Sequence, residues 1–310
     1  MNKWIELYKQ YLTNQKYYSS LTIRSYIREI HQFQDYLTIE HLEFNDLQYK
    51  EVRGYIVSLH NKKNKNISIR HQISVLRTFY RYLEKNEVVS LNPFELVSLP
   101  KKNQRNPEFL YYEEFEALLE VIGDSLLDIR NRMLLELLYA TGIRISEAVD
   151  IKLEDINYEQ GLILIRGKGG KYRYVVFNPI CELSIIEYLE NSRQELMKEK
   201  QHSYLLVNHL GNPLTTRGAA NILERISMKS SLNKRVHPHM LRHTFATHLL
   251  NEGADLRIVQ EMMGHASLSS TQIYTHVTTS QLQDTYLKAH PRHKINHLIK
   301  KKKSKIDFIT

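Results

Sequence analysis

The chain has 310 residues, of which 42% are apolar, so it can bury a substantial core in about two domains. Lysine and arginine number 43 against 34 aspartates and glutamates, and the formal net charge of +9 favours a polyanionic partner such as nucleic acid. The single cysteine, Cys181, excludes an internal disulfide and any multi-cysteine metal cluster. No apolar stretch approaches the roughly 18 residues of a membrane span, so we expect a soluble, cytoplasmic protein with no membrane partner.

The first ninety residues have the pattern of helices only. Apolar side chains recur three and four residues apart in four stretches, which predicts a small helical bundle over 1–90. Ser20 and Ser68 are candidate caps for the second and fourth helices. The fourth helix also carries Arg70, Arg77 and Arg81, for which a solvated charged face is the commoner explanation.

A proline-rich basic stretch follows the helical bundle. Pro93, Pro100 and Pro107 prevent a continuous helix, and Lys101 and Lys102 add positive charge between them. We therefore predict an interdomain linker over 91–110.

The pattern beyond the linker predicts a second, mixed domain over 111–295. Helical spacing at about 112–122 and 128–140 gives way to GLILIRGKGGKYRYVVF, residues 161–177, which has the pattern of a β-hairpin. Helical patterns then return, and the basic tail over 296–310 is expected to be disordered. The predicted fold class is mainly α with a small β-hairpin or sheet.

Two glycines mark corners at which one helix ends and a charged residue follows. In YATGIRISE, Gly142 is suited to the left-handed conformation that ends a helix, and Arg144 comes two residues later. In the second corner Asp255 can cap a short helix, Gly264 ends it, and His265 follows. Each feature alone is more often a surface or capping residue than a functional one.

The hairpin tip GKGGK, residues 167–171, is not a nucleotide-binding loop. A P-loop needs a serine or threonine and then a helix after its final lysine, whereas Lys171 is followed by Tyr172 and a strand. What remains is Lys168 between glycines, and an ordinary charged turn is the commoner reading of such a residue.

HPHMLRHTFATHLL, residues 237–250, predicts a helix with one buried face. Pro238 suits its first turn. Four residues at spacings of three and four share the apolar face: Leu241, Phe245, His248 and Leu249. His239 and Arg242 lie at the edge of that face, where they could pack or hold an anion. His239 and His243 are four residues apart but lack the glutamate of a zinc-protease helix, which disfavours a metal site.

Taken in order, four motifs resemble the tyrosine recombinase (phage integrase) family and, within it, the bacterial Xer recombinases. They are TGIRISE, GKGGK, HPHMLRHTFATHLL and MGHASLSSTQIYTH, the last with Tyr274 nine residues after His265. The resemblance covers nearly the whole chain. It implies a SAM-like core-binding domain and an α+β catalytic domain that together form a C-shaped clamp on DNA.

The same resemblance implies six active-site residues: Arg144, Lys168, His239, Arg242, His265 and Tyr274. Tyr274 would attack a DNA phosphate and form a 3′-phosphotyrosyl link, without metal, ATP or other cofactor. The arginines and His265 would bind the phosphate, Lys168 would be the general acid and His239 the base. Candidate contacts to the DNA backbone are Arg70, Arg77, Arg81, Lys101 and Lys102.

The implied partners are a double-stranded DNA recombination site, a second, XerD-like recombinase in a tetramer on two DNA sites, and a septal DNA translocase. The implied role is resolution of chromosome dimers at cell division, with the last helix, about 278–288, docking on a neighbouring subunit. Three alternatives stay open: an integrase of a mobile element with the same chemistry, a catalytically silent DNA-binding clamp, and a metal-dependent nuclease.

Overall fold

The computed structural model of the protein describes residues 1–100, 108–167, 172–264 and 279–293. The chain divides into two compact units, Met1–Arg105 and Asn106–Thr310, and each unit has its own hydrophobic core. The described residues are mainly helical, with one small sheet in the second unit, as predicted.

Within residues 1–100, four helices pack around a core rich in aromatic rings. They are α1 (Asn2–Asn14), α2 (Ser20–Ile39), α3 (Tyr49–Asn61) and α4 (Asn66–Lys85). The hydroxyl of Ser19 accepts the N–H of Thr22 and caps α2, one residue earlier than predicted. The cap predicted for α4 is wrong. The helix begins after Lys65, so Ser68 lies in its first turn rather than at the cap.

The segment after α4 packs against the first unit although the sequence pattern assigned it to the linker. Phe94 is fully buried in the core of this unit. The Arg77 guanidinium donates to the carbonyls of Phe94 at 3.1 Å and Val97 at 2.8 Å, and Arg70 donates to that of Pro100 at 2.5 Å. Two of the arginines predicted to contact DNA therefore hold this segment in place.

The described part of the second unit contains further helices and a three-stranded antiparallel sheet. The helices are α5 (Tyr112–Glu120), α6 (Leu126–Thr141), α7 (Ile145–Val149), α8 (Pro179–Tyr188), α9 (Gln194–Met197), α10 (Thr216–Lys229), α11 (Pro238–Asn251), α12 (Leu256–Met263) and α13 (Thr279–Ala289). The strands are β1 (Ile156–Asn157), β2 (Leu162–Arg166) and β3 (Tyr172–Val176).

The sheet has the order β1-β2-β3, with Ile163 paired to Val175 across the predicted hairpin. The hairpin prediction is confirmed. Strand β1 was not predicted, because two residues are too few to show an alternating pattern.

Helix α6 lies at the centre of the second unit and packs against α8 and α11. Helix α13 packs on this same unit: Tyr286 is fully buried, its hydroxyl accepts from Asn178, and its ring stacks on His290. The buried tyrosine thus has its partners within its own chain. Docking of this helix on a neighbouring subunit stays a prediction.

Several predictions concern residues outside the described ranges, among them Lys101, Lys102 and the tail at 296–310. Across the ranges that are described, no helix combines the length and the apolar character that crossing a membrane requires.

Candidate active site

Arg144 projects from the corner between α6 and α7, as the sequence predicted. Gly142 ends α6 in the left-handed region with φ +59°, and an added Cβ there would lie 2.2 Å from the Phe245 ring. Arg144 then occupies the cap position before Ile145, and its side chain is 41% exposed. The corner therefore leaves the Arg144 guanidinium partly accessible to solvent.

Helix α11 buries the face that its sequence pattern predicted, including Leu241, Phe245 and Leu249. His248 is a core histidine, also as predicted, with its ring nitrogens hydrogen-bonded to the Tyr139 hydroxyl at 2.7 Å and the Leu110 carbonyl at 2.8 Å. This face fixes the direction in which the remaining side chains of α11 point.

Arg242 is buried at the edge of this face rather than raised into solvent. Its guanidinium donates to the carbonyl of Gly142 at 2.7 Å and to that of Met263. Burial, together with the nearby positive charges of Arg144 and Arg173, lowers the pKa of Arg242 to about 10. The side chain therefore keeps its positive charge at neutral pH.

Arg144, Arg173, Arg242 and Glu147 form what we call the arginine cluster. Within it, the guanidiniums of Arg144 and Arg173 are arranged around the Glu147 carboxylate. It accepts from the backbone N–H of Arg144 at 2.8 Å and from the Arg144 side chain at 3.0 Å. The two terminal nitrogens of Arg173 donate to it at 3.0 and 2.8 Å. Burial raises the pKa of Glu147, but the hydrogen bonds from Arg173 and Arg144 outweigh this effect and lower it overall.

The three arginines also meet at the C-terminal end of α12. Their guanidiniums donate to three consecutive carbonyls: Arg173 to Met262 at 3.4 Å, Arg242 to Met263, and Arg144 to Gly264 at 3.4 Å. The end of a helix carries partial negative charge, which favours such cations.

The corner after α12 also agrees with the sequence pattern. The Asp255 carboxylate caps the helix, and Gly264 ends it in the left-handed region. Because His265 follows Gly264 directly, the cluster holds the chain at the point where the motif with His265 and Tyr274 begins.

Three predicted site residues, Lys168, His265 and Tyr274, lie outside the described ranges. His239 lies exposed in the first turn of α11, three residues before Arg242. Of the six predicted site residues, the structure brings Arg144 and Arg242 together at the end of α12.

Two members of the cluster, Glu147 and Arg173, were absent from the predicted site. Glu147 stands three residues after Arg144, the spacing of a capping box, and this was the signal for it. Arg173 shares the inward side of β3 with Val175, and an arginine at an inward position of a strand was the second signal.

Chemically, the three guanidiniums and the one carboxylate of this cluster leave a net positive charge of two in a partly buried site. Planar guanidiniums bind phosphate or carboxylate through paired hydrogen bonds, so the cluster is suited to an anion. In the described ranges, no group of three or more histidine, cysteine, aspartate or glutamate side chains could hold a metal ion.

Comparison with known proteins finds relatives that match nearly the whole chain. A model described as "Phage integrase family" matches residues 108–281, and one described as "Phage integrase, N-terminal SAM-like domain" matches residues 5–87. Tyrosine recombinase XerC of Listeria welshimeri is 48% identical over 287 residues, which cover 91% of this chain and 95% of that protein. The chain belongs to the phage integrase family of tyrosine recombinases.

Three further similarities agree. Tyrosine recombinase XerC of Bacillus subtilis is 44% identical over 296 residues, which cover 94% of this recombinase and 97% of that protein. The crystal structure of the XerH site-specific recombinase bound to a palindromic difH substrate superimposes with a TM-score of 0.67 at 28% identity, covering 86% of this chain and 79% of that one. A lambda integrase dimer bound to a COC' core site shares the fold. Its TM-score is 0.67 at 16% identity, covering 90% of this chain and 99% of that one. The activity of this enzyme is cleavage and rejoining of DNA strands by site-specific recombination.

Proposed function

We propose that this recombinase resolves chromosome dimers at cell division by cutting and rejoining a chromosomal DNA site through a 3′-phosphotyrosyl intermediate. The observation that carries the proposal is the convergence of Arg144 and Arg242 beside the chain that leads to His265 and Tyr274. High identity to recombinases named XerC over most of the chain supports the same role.

The two guanidiniums match the charge change of the reaction. A DNA phosphodiester carries one negative charge, which grows on its non-bridging oxygens as the five-coordinate state forms. Arg144 and Arg242 each donate hydrogen bonds to these oxygens, and bonds to charged groups contribute about 1.5 to 3 kcal/mol each. In exchange, Arg144 and Arg242 release part of their bonding to the end of α12.

The remaining assignments complete the transfer. The Tyr274 oxygen attacks phosphorus, the bond to the 5′ oxygen breaks, and the phosphate becomes attached to the tyrosine. Lys168 gives a proton to the departing 5′ oxygen, His239 accepts the tyrosine proton, and His265 donates to the phosphate. A 5′-hydroxyl of another strand then reverses these steps, so the phosphate bond is conserved and neither ATP nor a metal is needed.

The assembly is part of the proposal. The chain acts with a second, XerD-like recombinase as a tetramer on two double-stranded sites, and a septal DNA translocase activates it. An integrase of a mobile element would use the same residues and differ in its DNA site. Recombination between two copies of a chromosomal site, compared with two ends of a mobile element, separates these two roles.

The first test is formation of a covalent adduct. The protein is incubated in EDTA and without ATP with a nicked duplex that carries a chromosomal resolution site, and the products are separated on a denaturing gel. We expect a protein–DNA adduct that Tyr274→Phe abolishes while the variant still binds the duplex. An adduct that persists in Tyr274→Phe would contradict the proposal.

The controls separate the remaining alternatives. Cleavage that requires a divalent metal would identify a nuclease. Binding without an adduct, both alone and with the XerD-like recombinase added, would identify a silent DNA-binding clamp. An adduct that appears only with the second recombinase present would support the proposed heterotetramer.

A further inference from the structure

Arg173 connects three elements of the site although it is not one of the six proposed catalytic residues. It lies on β3, two residues after the hairpin tip that contains Lys168, and its side chain is 18% exposed. Its terminal nitrogens donate to Glu147 on α7, and its Nε donates to the Met262 carbonyl at the end of α12.

Gly264 makes this contact possible. A Cβ at that position would lie 2.9 Å from Cζ and from Nε of Arg173, which is closer than real Cβ contacts. The glycine therefore serves two purposes: it ends α12 in the left-handed region, and it leaves room for the guanidinium beneath the backbone.

The charges explain what Arg173 contributes. Glu147 is a buried carboxylate, and a buried charge is costly unless it is paired and hydrogen-bonded. Arg173 donates two hydrogen bonds to the Glu147 carboxylate. The Arg144 side chain donates one, from Nη1, and its Nη2 donates to the Gly264 carbonyl instead. Without Arg173 the carboxylate would draw the Arg144 guanidinium into a closer pair and away from an incoming phosphate.

We propose that Arg173 is a positioning residue for strand cleavage, which satisfies Glu147 so that Arg144 remains available to the phosphate and which fixes the end of α12 before His265. This inference rests on the proposed function, because it assigns Arg144 to the phosphate. Arg173 itself acts through its two partners, Glu147 and the α12 backbone.

Arg193 provides a matched comparison, because loss of any buried arginine could lower activity by weakening the fold. It is also a buried arginine of the second unit, and its donors bind backbone carbonyls of His202, Tyr204 and Leu205. None of these partners belongs to the arginine cluster. Arg193→Met should therefore lower the melting temperature much as Arg173→Met does, without acting on Arg144.

The test measures single-turnover adduct formation on the nicked duplex at a temperature at which every variant is folded. We expect Arg173→Met to slow the reaction about 30-fold with little change in duplex binding, and Arg193→Met to stay within about threefold of the wild type. Arg173→Lys should recover part of the loss, because it keeps the charge but not the forked geometry.

A double variant separates positioning from simple stability. Glu147→Gln removes the carboxylate that Arg173 satisfies, so Arg173→Met with Glu147→Gln should react faster than Arg173→Met alone. A merely structural role predicts that the two losses add. Equal rates for Arg173→Met and Arg193→Met, or additive losses in the double variant, would overturn the inference.

A second readout does not depend on DNA. Carbon-13 NMR of the Glu147 carboxylate, assigned with Glu147→Gln, should show its titration midpoint rise by about one pH unit or more in Arg173→Met and stay in place in Arg193→Met. An unchanged midpoint would refute the inference even if cleavage falls. A wild type that forms no Tyr274-dependent adduct, either alone or with the second recombinase, would instead contradict the proposed function, and the NMR result would still decide the role of Arg173.

Discussion

Arg242 and His290 are both buried and titratable, but their surroundings have opposite effects on charge. The carbonyls of Gly142 and Met263 accept hydrogen bonds from Arg242, and its pKa of about 10 leaves it charged at neutral pH. Burial is the main cause that lowers the pKa of His290 to about 3, so this side chain is neutral. The cluster thus retains the charge that an anion needs, while His290, the residue after α13, stays neutral.

The neutral state of His290 predicts how stability depends on pH. Its Nε2 lies 3.3 Å from the Tyr139 carbonyl and its Nδ1 accepts the N–H of Arg292. Because its folded pKa lies below the ordinary value of 6.5, the unfolded chain binds a proton first as the pH falls. The free energy of unfolding should therefore decrease between about pH 6.5 and pH 3, by up to about 1.4 kcal/mol per pH unit from this residue.

Urea denaturation of the wild type and of His290→Gln at several pH values checks this prediction. Glutamine keeps a donor and an acceptor but does not titrate, so the variant should lose stability less steeply over the same range. Parallel pH profiles for the two proteins would mean that His290 does not stay neutral in the folded state.

The residue scale also shows where sequence patterns reach their limit. Arg144 and Arg242 were accessible from the sequence, because each stands in a recognisable local motif. The role of Arg77 was not, since its acceptors lie 17 and 20 residues further along the chain, at Phe94 and Val97. Arg173 and Glu147 are 26 residues apart, so their pairing follows from tertiary structure alone.

At the scale of elements, the site depends on where helices end. Gly142 and Gly264 both adopt positive φ at the end of a helix. In the sequence, Arg144 comes two residues after Gly142 and His265 one residue after Gly264. A side chain at Gly142 would also collide with the Phe245 ring, which belongs to the buried face of α11. The corner that carries Arg144 is thus packed against the helix that carries Arg242.

This packing makes Gly142→Ala strongly destabilising. The left-handed conformation costs a non-glycine residue about 1 to 2 kcal/mol, and forcing a methyl group into a packed core costs about 1 to 3 kcal/mol more. We expect a loss of about 3 kcal/mol in the free energy of unfolding, measured by denaturant titration, together with slower adduct formation.

Gly253→Ala is the matched control for Gly142→Ala. Gly253 also has a positive φ, but nothing lies within 4 Å of an added Cβ. Gly253→Ala should lower the free energy of unfolding only by the cost of the left-handed conformation, about 1 to 2 kcal/mol. Equal losses at the two glycines would show that contact with Phe245 adds nothing at the Gly142 corner.

Element boundaries were readable from the sequence where the signal is local. Gly142, Gly264 and Asp255 end or cap helices through their own backbone or side chain, and all three were predicted. The start of α4 was not, because its first residue, Asn66, follows Lys65, whose side chain gives no capping hydrogen bond. Such a start depends on the packing of the apolar face rather than on a cap.

At the scale of the whole molecule, arginines that stabilise the fold must be distinguished from arginines that can bind DNA. The net charge of +9 favours DNA, yet some arginines predicted to bind its backbone are committed to the fold. The Arg77 side chain is 23% exposed and donates to two backbone carbonyls, whereas the Arg81 side chain is 64% exposed and pairs with Glu95. An exposed ion pair of this kind contributes little to stability, so Arg81 can exchange Glu95 for a phosphate.

The dependence of DNA affinity on salt distinguishes these two arginines. Each phosphate contact releases counterions and contributes about 0.9 to the slope of log K against log salt concentration. Arg81→Gln should therefore lower the slope by about 0.9 and leave the melting temperature nearly unchanged. Arg77→Gln should leave the slope unchanged and lower the melting temperature, because the segment around Phe94 loses two hydrogen bonds. A reduced slope in Arg77→Gln would mean that this arginine leaves its carbonyl partners when DNA binds.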